Sequence, residues 1–176
     1  MVELMITVVI VGILATLAVF GVNRYINYSK SGEPIQLIGS IKSGQEAYKA
    51  EMLSYLDVSG AGAISTASYY PGYPPGKKVW GWGTSGTVGA NFALLGVSPD
   101  APTRYVYACA AGGPSTQPAP ANLGTTTIGG WPSAATGQQW YVVNAKGDLD
   151  GDGTLSSYAS ASFTGLILTD TKNEAE

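Results

Sequence analysis

MVELMITVVIVGILATLAVFGVNRY, residues 1–25, holds no charged side chain between Glu3 and Arg24. As a helix rising about 1.5 Å per residue, the run from Leu4 to Asn23 spans roughly 30 Å, the thickness of a bilayer's hydrocarbon core. Glu3 is the residue that needs explaining. A carboxylate in the first turn of a helix gains ~0.3–1 kcal/mol from the helix dipole, which is an ordinary reason for its presence. An acid at the edge of a membrane-length apolar run is, by default, a mark of function. A cleaved secretory signal would need a basic stretch before the run, and none precedes it here. An anchor fits better, yet Arg24 and Lys30 follow the run and the positive-inside rule would place them in the cytoplasm. That conflict is removed if basic residues preceded Met1.

Composition limits the rest of the chain. Its 176 residues are enough for the apolar segment and one domain with a core of its own. Nine basic against twelve acidic residues give a net charge of −3, and the basic residues are scattered, so no direct nucleic-acid site is expected. There is no histidine and one cysteine. Metal centres built on imidazole or thiolate and His-dependent acid/base chemistry are therefore unavailable, and no enzyme is expected. Cys109 has no partner for an internal disulfide and reads as a small buried apolar residue in a strand.

Beyond the anchor, Ile35, Ile38, Ile41, Tyr48, Met52 and Tyr55 recur at helical spacing, with Gln45 the polar exception, while Lys42, Glu46 and Lys49 mark the opposite face. Between the two helical stretches, Gly32 is a poor helix former and Pro34 lacks an N–H, which predicts a kink or local unwinding. The expected organisation is a hydrophobic helix over 1–31, its amphipathic second half over 32–56, and a β-rich head over 57–176. Strands are expected in KVWGW near Lys78, RYVYACA from Arg104, QWYVVNA from Gln139 and SFTGLILT from Ser162. The stretch from Leu56 to Pro99, centred on YYPGYPPG, predicts turns with little regular structure, and the polar stretch starting at Gly112 predicts a surface loop. The fold class is α+β, with the second half of the long helix laid on an antiparallel sheet.

The opening MVELMITVVIVGILATLA resembles the N-terminus of type IV pilins and their pseudopilin relatives, over about the first 30 residues. In that family the mature chain begins with an N-methylated residue followed by a pattern like TLIELM and an apolar helix. Glu3 falls on the family's glutamate and Gly12 on a glycine common in the helix. The resemblance implies the type IV pilin fold and a mature chain starting two residues before Met1, its basic leader cut off by a dedicated prepilin peptidase. It also implies an inner-membrane subunit that the pilus assembly machinery builds into an extracellular homopolymer, with roles in adhesion or twitching motility. Glu3 would attract the amino terminus of a neighbouring subunit, and Gly12, Thr16 and Ala15 would form a small-residue packing face. Where many relatives carry a helix-unwinding proline, this chain has Phe20, so Gly21 becomes the weak point for unwinding in the filament. The family's C-terminal disulfide is absent.

GDLDGDGTLS, from Gly147, is the candidate brace for that end. Asp148, Asp150 and Asp152 alternate and Gly153 follows, as in the first half of an EF-hand calcium loop, with the Thr154 carbonyl and Ser156 as further ligands. Ala159 stands where a bidentate glutamate belongs, so calcium would bind weakly, at about 10⁻⁴–10⁻³ M. The same letters support a plain Asp-Gly turn between strands. No cofactor is required. The expected function is a pilin. The alternatives are a pseudopilin of a type II secretion system or a minor pilin, and, from another class, an anchored glycan-binding module using Trp80, Trp82, Trp131 and Trp140 as stacking platforms.

Overall fold

A computed structural model describes residues 2–114, 131 and 137–170. The chain is α+β. Helices α1 (Val2–Lys30), α2 (Gly32–Met52) and α3 (Gly86–Leu94) precede strands β1 (Val106–Gly112), β2 (Trp140–Gly147), β3 (Ser156–Ala161) and β4 (Leu168–Thr169). Residues 115–130, most of the expected surface loop, lie outside the described residues.

Helix α1 is continuous through Gly21. Apolar residues surround it on every side, so no single stripe is available to pack on the head, and none of Val2–Val22 is buried within the chain. At about 1.5 Å per residue its length is roughly 44 Å. Ser31 separates α1 from α2. Three residues on, Pro34 has no N–H to give to the carbonyl one turn back, and Gly32 weakens the helix by about 1 kcal/mol relative to alanine.

From α2 onward the helix is packed. Its buried residues are Pro34, Leu37, Ile38, Ile41 and Gln45. Ile35 and Met52, expected on the apolar stripe, are 48% and 58% exposed. Ile35 lies about 120° around the helix from Ile41, whereas Met52 is on the correct side but at the helix end. Helix α2 closes at Met52, short of residue 56, because Leu53 takes a left-handed conformation (φ 60) and gives its N–H to the Lys49 carbonyl at 2.9 Å. Gly44 lets the helix approach the 95–97 segment: a Cβ there would lie 2.5 Å from the Leu95 carbonyl oxygen.

The sheet is an antiparallel meander in the order β1-β2-β3-β4. Cys109 pairs with Val143, Asn144 with Ala159, and Tyr158 with Thr169. Alternation assigns Tyr105, Tyr107, Cys109, Tyr141, Val143, Ala145 and Tyr158 to the core that includes Leu37, Ile38 and Ile41. The opposite face is also buried. Tyr69, Tyr73, Trp80 and Ile64 cover Val106 and Ala108, while Trp131 and Phe163 cover the group of Trp140, Val142, Ala159 and Ala161. The Gly/Pro/Tyr-rich segment is therefore a third layer over the sheet.

Three strand and loop expectations are corrected. The SFTGLILT segment supplies only β4, and the third full strand is the preceding SSYASA. Its serines and alanines carry little β propensity, but Ala159 and Ala161 pack with Trp140 and Phe163. Around Lys78 there is no strand, only a bridge in which Trp80 and Thr103 exchange backbone hydrogen bonds of 2.7 and 2.8 Å. The region between Leu56 and Pro99 also holds α3 and a short 3-10 turn at Thr66–Ser68. The outer edge of β1 is closed by this region. Tyr70 exchanges 2.8 Å hydrogen bonds with Tyr107, and the Ser59 N–H reaches the Cys109 carbonyl at 2.9 Å.

Candidate functional site

The first candidate surface is α1 itself. Glu3 lies in its first turn and is exposed. Gly12, Ala15 and Thr16 are exposed too, and the space around Gly12 is open, so the small-residue face is unfilled in the single chain. The hydroxyl groups on the rod are folded back onto it. Thr7 Oγ1 donates to the Glu3 and Leu4 carbonyls at 3.0 and 2.9 Å, and Thr16 Oγ1 donates to the Ile13 carbonyl at 2.7 Å. Such bonds let a threonine enter an apolar medium without an unsatisfied donor. Over Val2–Val22 the groups left to interact are apolar surface plus one carboxylate.

The junction of rod and head contains a site that the sequence pattern did not reveal. The Glu33 carboxylate accepts the Arg104 N–H at 3.0 and 3.2 Å, the Tyr105 N–H at 3.2 Å and the Tyr107 hydroxyl at 3.1 Å. Pro34 beside it is buried, whereas Gly32 is exposed with open space where a side chain would stand. Gly21, in the rod, is likewise open and helical.

Gln45, the polar exception on the α2 stripe, is fully buried. Its side-chain Nε2 donates to the Leu56 carbonyl at 2.7 Å and its Oε1 accepts the Leu56 N–H at 3.0 Å. The amide thus imitates a strand neighbour for the chain returning from α2. Nε2 also reaches Cys109 Sγ at 3.2 Å. Burial pushes the Cys109 thiol up to about 12, so it is an unreactive core group. The face carrying Lys42 is not wholly solvent-exposed: its Nζ donates to Ser160 Oγ at 2.8 Å and to the Thr164 carbonyl at 2.7 Å, and burial lowers its pKa. Asp57 is another residue whose role no motif signalled, accepting the Ser59 hydroxyl at 2.7 Å, the Gly62 N–H at 2.7 Å and the Ala111 N–H at 3.3 Å.

The aspartate loop joins β2 to β3. One carboxylate oxygen from each of Asp148, Asp150 and Asp152 lies within 4.8 Å of the others. Two ligands of one calcium ion, each at about 2.3–2.6 Å, can stand up to about 5 Å apart. Three mutually adjacent ligands need spacings nearer about 4.5 Å, so the three carboxylates stand close to the spacing that one ion would need. The loop also braces itself: Asp148 Oδ1 accepts the Gly151 N–H at 2.6 Å, Asp150 Oδ1 the Asp152 N–H at 3.2 Å, and Asp152 Oδ1 the Thr154 N–H at 2.6 Å. The Thr154 N–H holds the Asp152 carboxyl below its usual range. Gly151 and Gly153 have φ of 78° and 84°, conformations that favour glycine. Two of the remaining EF-hand positions, Ser156 and Ala159, do not join them. Ser156 Oγ instead donates to the Gly147 carbonyl at 3.1 Å, and Ala159 is fully buried in β3. One oxygen from each aspartate makes three of the roughly 6–8 oxygens that calcium takes.

The four tryptophans are packed into the head. Trp82 lies 5.1 Å from the Tyr70 ring and 5.3 Å from Phe92, Trp131 meets Phe163 edge-on at 6.1 Å, and Trp140 is buried. Lys78 Nζ sits 4.6 Å over the Trp80 ring. Set against protein-family models, curated proteins and solved structures, the chain matches none of them.

Proposed function

We propose that this chain is a structural subunit of the type IV pilin class, without catalytic activity. It would polymerise through α1 into an extracellular filament after residing in the inner membrane. The observation that carries this reading is the rod: a wholly exposed apolar helix with Glu3 in its first turn, leading into a separately packed α+β head. A plain anchor explains the apolar length but gives Glu3 no role beyond ~0.3–1 kcal/mol of helix-dipole stabilisation. A subunit that leaves lipid for a bundle of identical rods gives it a specific one, since apolar burial distinguishes poorly between lipid and neighbouring helices and a charge pair can set register. In this role Glu3 engages the amino terminus of the neighbouring subunit. Adhesion and twitching motility are the activities such a filament would serve, and prepilin peptidase and the pilus assembly machinery are the partners it would need. Fibres sheared from producing cells, examined by electron microscopy, test the reading.

The pseudopilin or minor-pilin alternative draws on the aspartate loop. In that reading Asp148, Asp150 and Asp152 hold calcium where related chains use a disulfide, supported by the mutual closeness of the three carboxylates. Calorimetric titration of the purified chain is expected to show calcium binding at about 10⁻⁴–10⁻³ M, with loss of the heat in Asp150→Asn. Absence of both heat and thermal stabilisation at millimolar calcium would leave only the Asp-Gly turn. The glycan-binding alternative is weakened by the packing of Trp82, Trp131 and Trp140 into the head.

A further inference from the structure

We infer that residues 30–33 are a joint, clasped on its head side by Glu33, about which the rod pivots while the head stays rigid. The joint depends only on this chain's geometry, whether α1 ends in a filament or remains an anchor. On the head side, the Glu33 carboxylate takes two backbone N–H groups, from Arg104 and Tyr105, and the Tyr107 hydroxyl, which ties the first turn of α2 to the start of β1. Pro34, Leu37 and Ile38 follow as buried residues, so the helix is part of the head from Glu33 onward.

On the rod side, no residue of Val2–Val22 is buried. Between the two lies Ser31, a one-residue break in the helical hydrogen bonding whose backbone stays right-handed helical (φ −67, ψ −13). Pro34 contributes no N–H to a helical bond across that break, which lowers the resistance to bending there. Gly32 has nothing within 4 Å of the position a Cβ would take, so no neighbour demands glycine. Its effect is on the backbone, which it leaves free to adopt more conformations. A clasp next to a weakened turn confines bending to that turn. The head can then reorient while lipid or neighbouring rods fix the direction of α1.

The test uses the full chain in detergent micelles with spin labels at Val19→Cys and Leu94→Cys, both exposed positions. The buried Cys109 does not compete for label. The parent chain should give a broad distribution of label separations, and Pro34→Ala should narrow it to roughly half. Because Pro34 is buried and its replacement can disturb the head, Gly32→Ala in open space is the second variant, with narrowing expected again. Glu33→Gln should speed amide exchange at Arg104 and Tyr105 about tenfold and broaden the distribution. A parent distribution already as narrow as that of Gly32→Ala would overturn the joint. Unchanged exchange at Arg104 and Tyr105 in Glu33→Gln would overturn the clasp.

Discussion

Replacing Glu3 with glutamine is expected to abolish filaments while the subunit accumulates, folded, in the membrane. Glutamine keeps the size and hydrogen-bonding capacity of the side chain and removes only the charge. In the proposed filament Glu3 meets the amino terminus of a neighbour among apolar rods, and removing one partner of such a buried pair costs about 3–5 kcal/mol. That corresponds to more than about a 100-fold fall in the association constant at each subunit contact. The head should be unaffected, since Glu3 lies in the first turn of α1 and α1 contributes nothing to the buried core. Counting fibres by electron microscopy and membrane-bound subunit by immunoblot separates assembly from synthesis. Normal filaments from Glu3→Gln would remove the charge-pair mechanism, and loss of the subunit from the membrane would mean the effect is on stability.

The largest effect on the head is expected at Gln45. Leucine has nearly the same volume and suits the apolar stripe, so propensity and hydropathy alone would predict a neutral or favourable change. The structure predicts the opposite. Gln45→Leu leaves the Leu56 N–H and carbonyl without the amide that now satisfies both, at about 1–3 kcal/mol for each unsatisfied group. A loss of about 2–5 kcal/mol would lower the melting temperature by roughly 5–15 °C for a domain of this size. Thermal unfolding of the purified chain followed by near-UV circular dichroism checks this. A change of less than about 1 kcal/mol would show that water satisfies Leu56 in the variant.

Legibility in the sequence depends on how local each cause is. The apolar rod is written in a run of uncharged residues, and β1 and β2 in clusters of aromatic and β-branched residues. Strand β3 was not legible because Ser156–Ala161 pairs with β2 across the aspartate loop, and its Ala159 and Ala161 pack with Trp140 and Phe163, a requirement set by residues outside the strand. Helix α3, GTVGANFAL, carries two glycines that read as loop. One of them, Gly89, leaves room for the Tyr70 ring, which would stand 2.9 Å from an added Cβ. Glu33 belongs to no sequence motif. Its partners are backbone groups of Arg104 and Tyr105, which no side-chain pattern reveals. The aspartate motif and its missing glutamate at Ala159 were both legible; what the sequence did not show is that Ser156 turns its hydroxyl to the Gly147 carbonyl.

In the proposed function this chain leaves the membrane to become the substance of a fibre. Shearing producing cells, imaging the released material by electron microscopy and identifying its main component by mass spectrometry tests that directly. Long thin fibres composed chiefly of this chain are expected, absent from cells in which it is deleted. Fibres built of another protein, or this chain recovered only from the membrane fraction, would contradict the proposed function.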